Sequence, residues 1–294
     1  MISIIICSRD LEVFTAVSDN IKDTIGVPFE IVRVDNSDGK YGICKAYNVG
    51  AAQAKFDFLC FAHEDILLVT PNWGTNVLNH LEDKSVGLIG VAGADPKSMV
   101  PTSFNPDILK TEAHIISHSN DKRNAPILVL KTETPDDNSL IKQVTAVDGV
   151  WMCTRRDVYN KFKFDEKVIT GFHAYDLDYS LQVLSEYKVC VIFDVLMHHF
   201  SSGNFDRKYL DQKIILSHKW KQKLPISFKP YSEKEFIEHH WLAMDSFINK
   251  LISLDYKFLF IVKQHFVFSF NRFFRLGPFF ILFKRIIVRK LITF

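Results

Sequence analysis

Phe58-Leu59-Cys60-Phe61-Ala62-His63-Glu64-Asp65-Ile66-Leu67-Leu68 is the stretch whose reading decides the fold. Leu59 to Ala62 is a short apolar run of the kind that forms a strand buried on both faces. His63, Glu64 and Asp65 follow at once and Ile66, Leu67 and Leu68 close behind them, so two carboxylates and an imidazole are wedged between hydrophobic segments. A parallel α/β sheet binds ligands outside the carboxyl ends of its strands, which puts these side chains on a rim that a cation or a phosphate can reach. Carboxylate oxygens there suit Mg2+ or Mn2+, ions that proteins hold through one or two carboxylates together with the phosphates of a substrate. A solvated loop with two ordinary acids would look much the same, so the neighbouring segments decide.

On the amino-terminal side the pattern is regular. Ile2 to Cys7 is apolar and β-branched, a buried strand, and Ser8-Arg9-Asp10 ends it before a helical spacing through Leu11, Phe14, Val17 and Ile21. Glu30 to Val34 gives a second strand, stopped by the turn formers Asp35-Asn36-Ser37-Asp38-Gly39, which serve equally as a solvated turn or a ligand rim. Tyr41 to Lys55 carries Ile43, Tyr47, Gly50, Ala51 and Ala54 at helical spacing, with Asn48 among them. Asp57 to Ala62 is the third strand. Strand, helix, strand, helix, strand with a polar cluster after each strand predicts a parallel sheet with right-handed crossovers.

On the carboxyl side, Pro71-Asn72-Trp73 starts a helix to about Leu81, and Val86 to Val91 is a fourth strand. From Gly93 to Lys142 five prolines and polar interruptions dissolve the pattern, and only Ile127 to Leu130 reads as a strand; such a stretch is a functional loop or a plain insertion. Val144 to Cys153 is the next strand, interrupted at Asp148-Gly149, where glycine marks a close approach by ligand or backbone. Trp151 offers either a flat face for a sugar ring or a core side chain. Leu177, Leu181 and Leu184 mark a helix with Asp176 and Asp178 in its first turn, where the dipole favours ionised carboxylates. Val189 to Met197 is the last core strand and ends in His198-His199-Phe200-Ser201-Ser202-Gly203; strand alternation lets one of the two histidines face a site. Asp206 to Lys223 is helical and basic, a solvated face.

In this order, Ile4-Ile5-Ile6-Cys7-Ser8-Arg9, Val34-Asp35-Asn36-Ser37, Lys45-Ala46-Tyr47-Asn48-Val49-Gly50 and Phe61-Ala62-His63-Glu64-Asp65-Ile66 resemble the nucleotide-sugar half of family-2-like glycosyltransferases of the GT-A fold. The resemblance implies an α/β, Rossmann-like, mostly parallel sheet flanked by helices. It covers about Met1 to Gly203, and implies a transferase domain over 1–225, with a donor half at 1–92 and an acceptor half at 93–225. By the family pattern Ser8, Arg9, Asp35 and Asn36 hold the base and ribose, Asn48 and Gly50 keep the helix motif, and Glu64 and Asp65 fall in the Asp-x-Asp segment, whose last Asp carries Mn2+ or Mg2+ on the donor diphosphate. Tyr47 stands where the family has Arg and His63 where it has the first Asp, leaving His63 as a substitute ligand. Asp176 matches the base that deprotonates the acceptor, Asp178 the second Asp of that motif, and Tyr175 stands in place of Glu. His199 matches the terminal histidine that completes the metal site, and Asp148, Gly149 and Trp151 fall where the acceptor binds. The implied activity is inverting transfer of a sugar from a UDP- or dTDP-sugar to a saccharide or lipid-linked acceptor, in bacterial surface polysaccharide synthesis.

Composition bounds the rest. The 294 residues are 47% hydrophobic and 24% charged, enough for a sizeable core. Net charge is +2, yet 257–294 holds eight Lys or Arg, no acid and 11 of the 26 Phe, so the body is net acidic and the tail basic and aromatic. That favours an anionic membrane surface over nucleic acid as partner for a helical extension over 226–294. The longest uncharged stretches there, Gln264 to Asn271 and Leu276 to Phe283, are far short of the roughly 20 residues a bilayer span needs. Five cysteines without a Cys-x-x-Cys pair, and a first strand too short for a signal-peptide core, point to a cytoplasmic protein, peripheral on the inner membrane face. Among rivals, a dinucleotide oxidoreductase lacks Gly-x-Gly-x-x-Gly after the first strand. A metal hydrolase would release free sugar rapidly without an acceptor. A non-catalytic sugar-nucleotide-binding or membrane scaffold is the alternative reading, and turnover separates it from an enzyme.

Overall fold

The computed structural model describes residues 1–103, 111–118, 127–131, 139–200 and 205–291; the Ser201-Ser202-Gly203 turn, parts of the 93–142 stretch and the last three residues of the tail lie outside them. The chain begins with β1 (Ile2–Ser8), α1 (Leu11–Thr24), β2 (Phe29–Asp35), α2 (Ile43–Gln53) and β3 (Phe58–Ala62). β1 runs parallel to both β2 and β3, as the alternating pattern requires. Ile2, Ile4, Ile5 and Ile6 are fully buried, because helices and a second sheet cover both faces. Asp10 stops the strand by capping α1, its carboxylate accepting from the amides of Glu12 and Val13.

The chain continues through β4 (Ile66–Leu68), α3 (Trp73–Glu82), β5 (Val86–Gly90), β6 (Ala92–Ala94), β7 (Thr111–His118), β8 (Ile127–Lys131), β9 (Ile141–Val144), β10 (Ala146–Val147), β11 (Trp151–Arg155), α4 (Arg156–Lys161), α5 (Tyr175–Val183), β12 (Lys188–Ile192), β13 (Met197–His199) and α6 (Arg207–Lys219). The main sheet is ordered β2-β1-β3-β11-β5-β12-β9. It is mixed: β11 is antiparallel to β3 and β5, and β9 to β12, while β5 and β12 are parallel. Parallel pairing therefore belongs chiefly to the amino-terminal half. A second sheet, β10-β6-β7-β13-β4 with β8 on β7, packs beside it.

The single strand expected over 144–153 is in fact three pieces. Thr145 and the Asp148-Gly149 turn carry the chain from β9 in the main sheet to β10 in the second and back to β11. The expected 189–197 strand splits likewise into β12 and β13. This switching positions the site, because β13 pairs antiparallel with β4 in the register His199↔Ile66 and so sets residue 199 beside residue 65.

After α6, helices α7 (Glu233–Ser253), α8 (Phe258–Ser269) and α9 (Leu276–Leu291) pack on one another around Trp241, Phe247, Leu251, Ile261, Phe279 and Ile286. Ser232 and Glu235 form a reciprocal capping box that fixes the start of α7. Leu210 and Ile214 of α6 belong to this same core, so packing runs unbroken across residue 225. Among the described residues no helix is long and apolar enough to cross a membrane.

Candidate active site

His63 and Asp65 lie in the turn between β3 and β4, and His199 ends β13. One ligand atom from each lies within 4.8 Å of the others. Asp65 Oδ1 is 3.7 Å from His63 Nδ1 and 3.6 Å from His199 Nε2. Hydrogen bonding fixes the form of His63. The Tyr175 hydroxyl donates to the Gly149 carbonyl at 3.0 Å and therefore accepts from His63 Nε2–H at 2.8 Å, leaving the lone pair on Nδ1, the atom that faces Asp65. Burial also depresses the His63 pKa, against the pull of Asp65, so the ring is neutral near pH 7. Burial opposes the charge on Asp65, but the two imidazoles outweigh it and hold its carboxyl below the usual range.

A divalent cation fits these residues. His199 Nε2 is buried without a hydrogen-bond partner among the described residues, and a lone pair on His63 faces a carboxylate, a mismatch that a cation between them resolves. Two nitrogens and one carboxylate form a softer donor set than the oxygen cage Mg2+ prefers, which favours Mn2+. Gly149 has a reason besides ligand approach: a Cβ there would lie 2.2 Å from the Tyr175 hydroxyl. Burial, then the charge of Asp176, raises the Asp148 carboxyl, and its Oδ1 accepts from the Val150 amide at 2.8 Å.

The cluster opens into a cleft of about 670 Å³, lined further by Arg9, Glu64, Tyr175, His173, Phe205 and Tyr209. Glu64 holds the first loop: its carboxylate accepts from the amides of Arg9 at 3.0 and 3.1 Å and of Asp10 at 3.3 Å. That leaves the exposed Arg9 side chain at the cleft wall, while Asp35 is exposed at the end of β2, paired in register with Ser8.

The two acids of α5 differ sharply. Asp176 lies just behind the lining, its side chain 13% exposed and its Oδ1 buried without a hydrogen bond among the described residues, 3.9 Å from Lys213 Nζ. Asp178 accepts from Lys219, Trp220 Nε1 and Gln182 Nε2 at 2.8 to 2.9 Å and is buried, so no lone pair is left for an acceptor proton. Its role is to tie α5 to α6, a correction to its candidacy as a catalytic group.

Four other expected contacts are corrected by their surroundings. Ser8 is fully buried, and its hydroxyl bonds the Asp10 carbonyl and accepts from Arg33. Asn36, also buried, clamps the loop after β2 through the Tyr41 amide and carbonyl at 2.8 and 2.9 Å. Asn48 ties α2 to the Phe164 carbonyl, Glu166 and Tyr159 on the far side of the helix, at a separate surface depression. Trp151 shows no face to a sugar, being wholly buried 5.9 Å from Trp73. The family's helix motif is legible in sequence, but whether its polar side chain turns outward depends on partners over a hundred positions away, as Phe164, Glu166 and Tyr159 are from Asn48.

Lys213 was not foreseen. The basic α6 read as a solvated face, yet Lys213 lies on the stripe Leu210, Lys213, Ile214, Ser217 and is 4% exposed, a signal present in the helical spacing. Lys97 is likewise buried, its ammonium bonded to the Ser98, Val100 and Thr102 carbonyls and to Thr102 Oγ1, and burial, with the nearby Lys213, pushes it down to about 7.

The sequence profile of a glycosyltransferase-like family matches residues 3–219. No curated protein matches. Among solved structures, the mannosyltransferase PcManGT from Pyrobaculum calidifontis, in complex with GDP-Man and Mn2+, aligns over 99% of this chain and 86% of its own at 12% identity, with a TM-score of 0.50, a likeness of fold. S. aureus TarS 1-349 with UDP-GlcNAc (98% of this chain, 81% of that one, 13% identity, TM-score 0.43) and GalNAc-T7 with UDP, GalNAc and Mn2+ (82% of this chain, 54% of that one, 10% identity, TM-score 0.49) are more distant. The architecture is GT-A: a mixed α/β sheet flanked by helices, with a helical carboxyl-terminal region.

Proposed function

Since the chain belongs to the glycosyltransferase-like family matched over residues 3–219, we propose that it transfers a sugar from a nucleotide-sugar donor to a saccharide or lipid-linked acceptor with inversion at the anomeric carbon. The observation that carries this reading is the meeting of His63, Asp65 and His199 at the cleft, with His199 Nε2 lacking a hydrogen-bond partner among the described residues. His63, Asp65 and His199 would hold a divalent ion, which would supply Lewis-acid assistance to the departing diphosphate. Arg9 and Asp35 at the strand ends face the nucleoside. Asp176 takes the acceptor's proton as its oxygen attacks from the face opposite the leaving group, a contribution of about 10² to 10⁴ in rate. An aromatic wall of Phe205 and Tyr209, with ring centroids 5.1 Å apart, replaces Trp151 as the surface an acceptor sugar would lie against.

We also infer attachment to an anionic membrane surface through α8 and α9, at the cytoplasmic face, as suits an enzyme of surface polysaccharide synthesis whose acceptor is lipid-linked. Leu259 and Phe266 on α8, Phe270 at its carboxyl end, and Leu276, Phe280 and Ile281 on α9 are exposed, with Lys263 and Lys284 on the same stripes.

Calorimetric titration with UDP-GlcNAc, dTDP-glucose and GDP-mannose, with and without Mn2+, tests the donor reading. One of them should bind only with Mn2+, and Asp65→Ala should abolish that dependence in a protein that still melts cooperatively. Unchanged Mn2+-dependent affinity in the folded variant would sink the metal assignment. Binding without any release of nucleotide would favour a non-catalytic scaffold.

A further inference from the structure

α6 sets one lysine against each acid of α5. Lys219 grips Asp178 at 2.8 and 2.9 Å while also bonding Asp165 at 2.6 Å, and Trp220 and Gln182 complete the grip. Lys213 stands only 3.9 Å from Asp176 Oδ1, too far to hydrogen-bond. The first arrangement consumes a carboxylate; the second leaves it open. Lys213 is 4% exposed, and its ammonium makes no hydrogen bond among the described residues; the face of Tyr209 lies 5.1 Å away, and Asp148, Lys97 and His173 act on it by charge. Asp176 is the one carboxylate within ion-pair distance of this buried cation among the described residues, with Asp148 acting on it from farther off, so cation and carboxylate oxygen are held to each other by charge and not by a hydrogen bond.

We propose that Lys213 is the positioning residue for Asp176. It draws Oδ1 inward by charge, offsets the cost of burying that charge, and so leaves the lone pairs of the second oxygen free to receive a proton. A hydrogen-bonding clamp like that on Asp178 would occupy the lone pairs that must receive the proton. Lys97 cannot substitute, because its donors are spent on the Ser98, Val100 and Thr102 carbonyls and the Thr102 hydroxyl. Asp148, His63 and His173 also act on Asp176 electrostatically, but none of them bonds it.

This inference rests on Asp176 as base, and the test separates the two. The full chain is assayed for Mn2+-dependent release of nucleotide from whichever sugar nucleotide binds, with water as acceptor. Lys213→Met should lower kcat at least tenfold while donor affinity stays within twofold, and Lys213→Arg should recover most of the loss. In an Asp176→Asn background, Lys213→Met should cost nothing further, because the group it positions has gone. Independent, multiplying losses in the double variant, or a fall in donor affinity matching the fall in kcat, would overturn the inference while leaving the transferase reading intact. Near-normal turnover by Asp176→Asn, or no turnover by a wild-type chain that binds donor, would remove the base and the inference together. Lys213→Arg keeps the question decidable if the Met variant does not fold.

Discussion

Asp176 and Asp178 are two positions apart on α5, about 200° around the helix, so they face different neighbours. The one bonded to saturation by α6 should matter for stability and not for chemistry. Asp178→Asn keeps the shape but leaves the Lys219 ammonium short of a partner where the Asp178 side chain is only 2% exposed. A cost of about 2 kcal/mol follows, less than for a fully buried pair because Lys219 keeps Asp165 and some water. The check is a melting temperature several degrees lower with nucleotide release per folded molecule unchanged; a catalytic collapse without loss of stability would return Asp178 to the chemistry. Sequence spacing places both acids in the first turn of a helix and goes no further, since what distinguishes them is Lys213, Lys219 and Trp220, some 35 to 44 positions on. His63, Asp65 and His199 were legible because each sits at the end of an apolar run, and strand ends in this architecture converge. Ser8, Asn36 and Asn48 look the same in sequence, but other groups claim them first: Asp10 and Arg33 take Ser8, the nearby Tyr41 backbone takes Asn36, and Phe164, Glu166 and Tyr159 take Asn48 from far along the chain.

Among the elements, the bundle of α7, α8 and α9 carries its own acid sensitivity. His240 and His265 are buried within it, His265 stacked on Phe279 at 4.6 Å, and burial pushes both down to about 4 from an ordinary 6.5. The unfolded chain accepts these protons below about pH 6.5 and the folded one refuses them until about pH 4. Stability is therefore complete above 6.5 and falls as pH drops through that window, by up to about 1.4 kcal/mol per pH unit for each ring. Thermal melts from pH 7.5 to 5 on the wild type and on His265→Leu check this: the variant should show the shallower decline. Equal slopes would mean that the ring already titrates normally in the folded protein. The helices of this bundle were visible as apolar spacing, whereas β7 was not, because His114 and Ser117 interrupt its alternation and only β6, β8 and β13 around it make Thr111–His118 a strand.

At the scale of the whole molecule, the basic, aromatic tail folds as part of the protein, and that alters how its surface must be tested. Trp241, Met244, Phe247 and Leu251 of α7 are buried in a core completed by Ile261, Phe268, Phe279 and Ile286 of α8 and α9. Cutting after Asp255 would bare that core and confuse aggregation with lost attachment. Arg285 is also spent within the chain, in a partly exposed ion pair with Asp245. What remains outward is a pair of stripes, Leu259, Lys263 and Phe266 on α8 with Phe270 capping it, and Leu276, Phe280, Ile281 and Lys284 on α9, joined through contacts of Phe266 and Phe270 with Phe279 at 5.4 Å. With no acid after Asp255, nothing in the tail opposes an anionic surface. Each lysine or arginine near such a surface contributes about 1 kcal/mol, weakening as salt shortens the screening length. The full-length chain should float with phosphatidylserine-containing vesicles at low salt and not with phosphatidylcholine alone. Raising salt to about 0.5 M should release most of it, leaving the share held by the aromatic side chains. Lys263→Glu with Lys284→Glu should abolish flotation, and Phe270→Ser with Phe280→Ser should make the remaining binding wholly salt-sensitive, both without change in melting temperature. If the wild type stays at the bottom of the gradient and sediments as a dimer that the Phe variants dissociate, this face joins two copies of the chain and the lipid assignment is wrong.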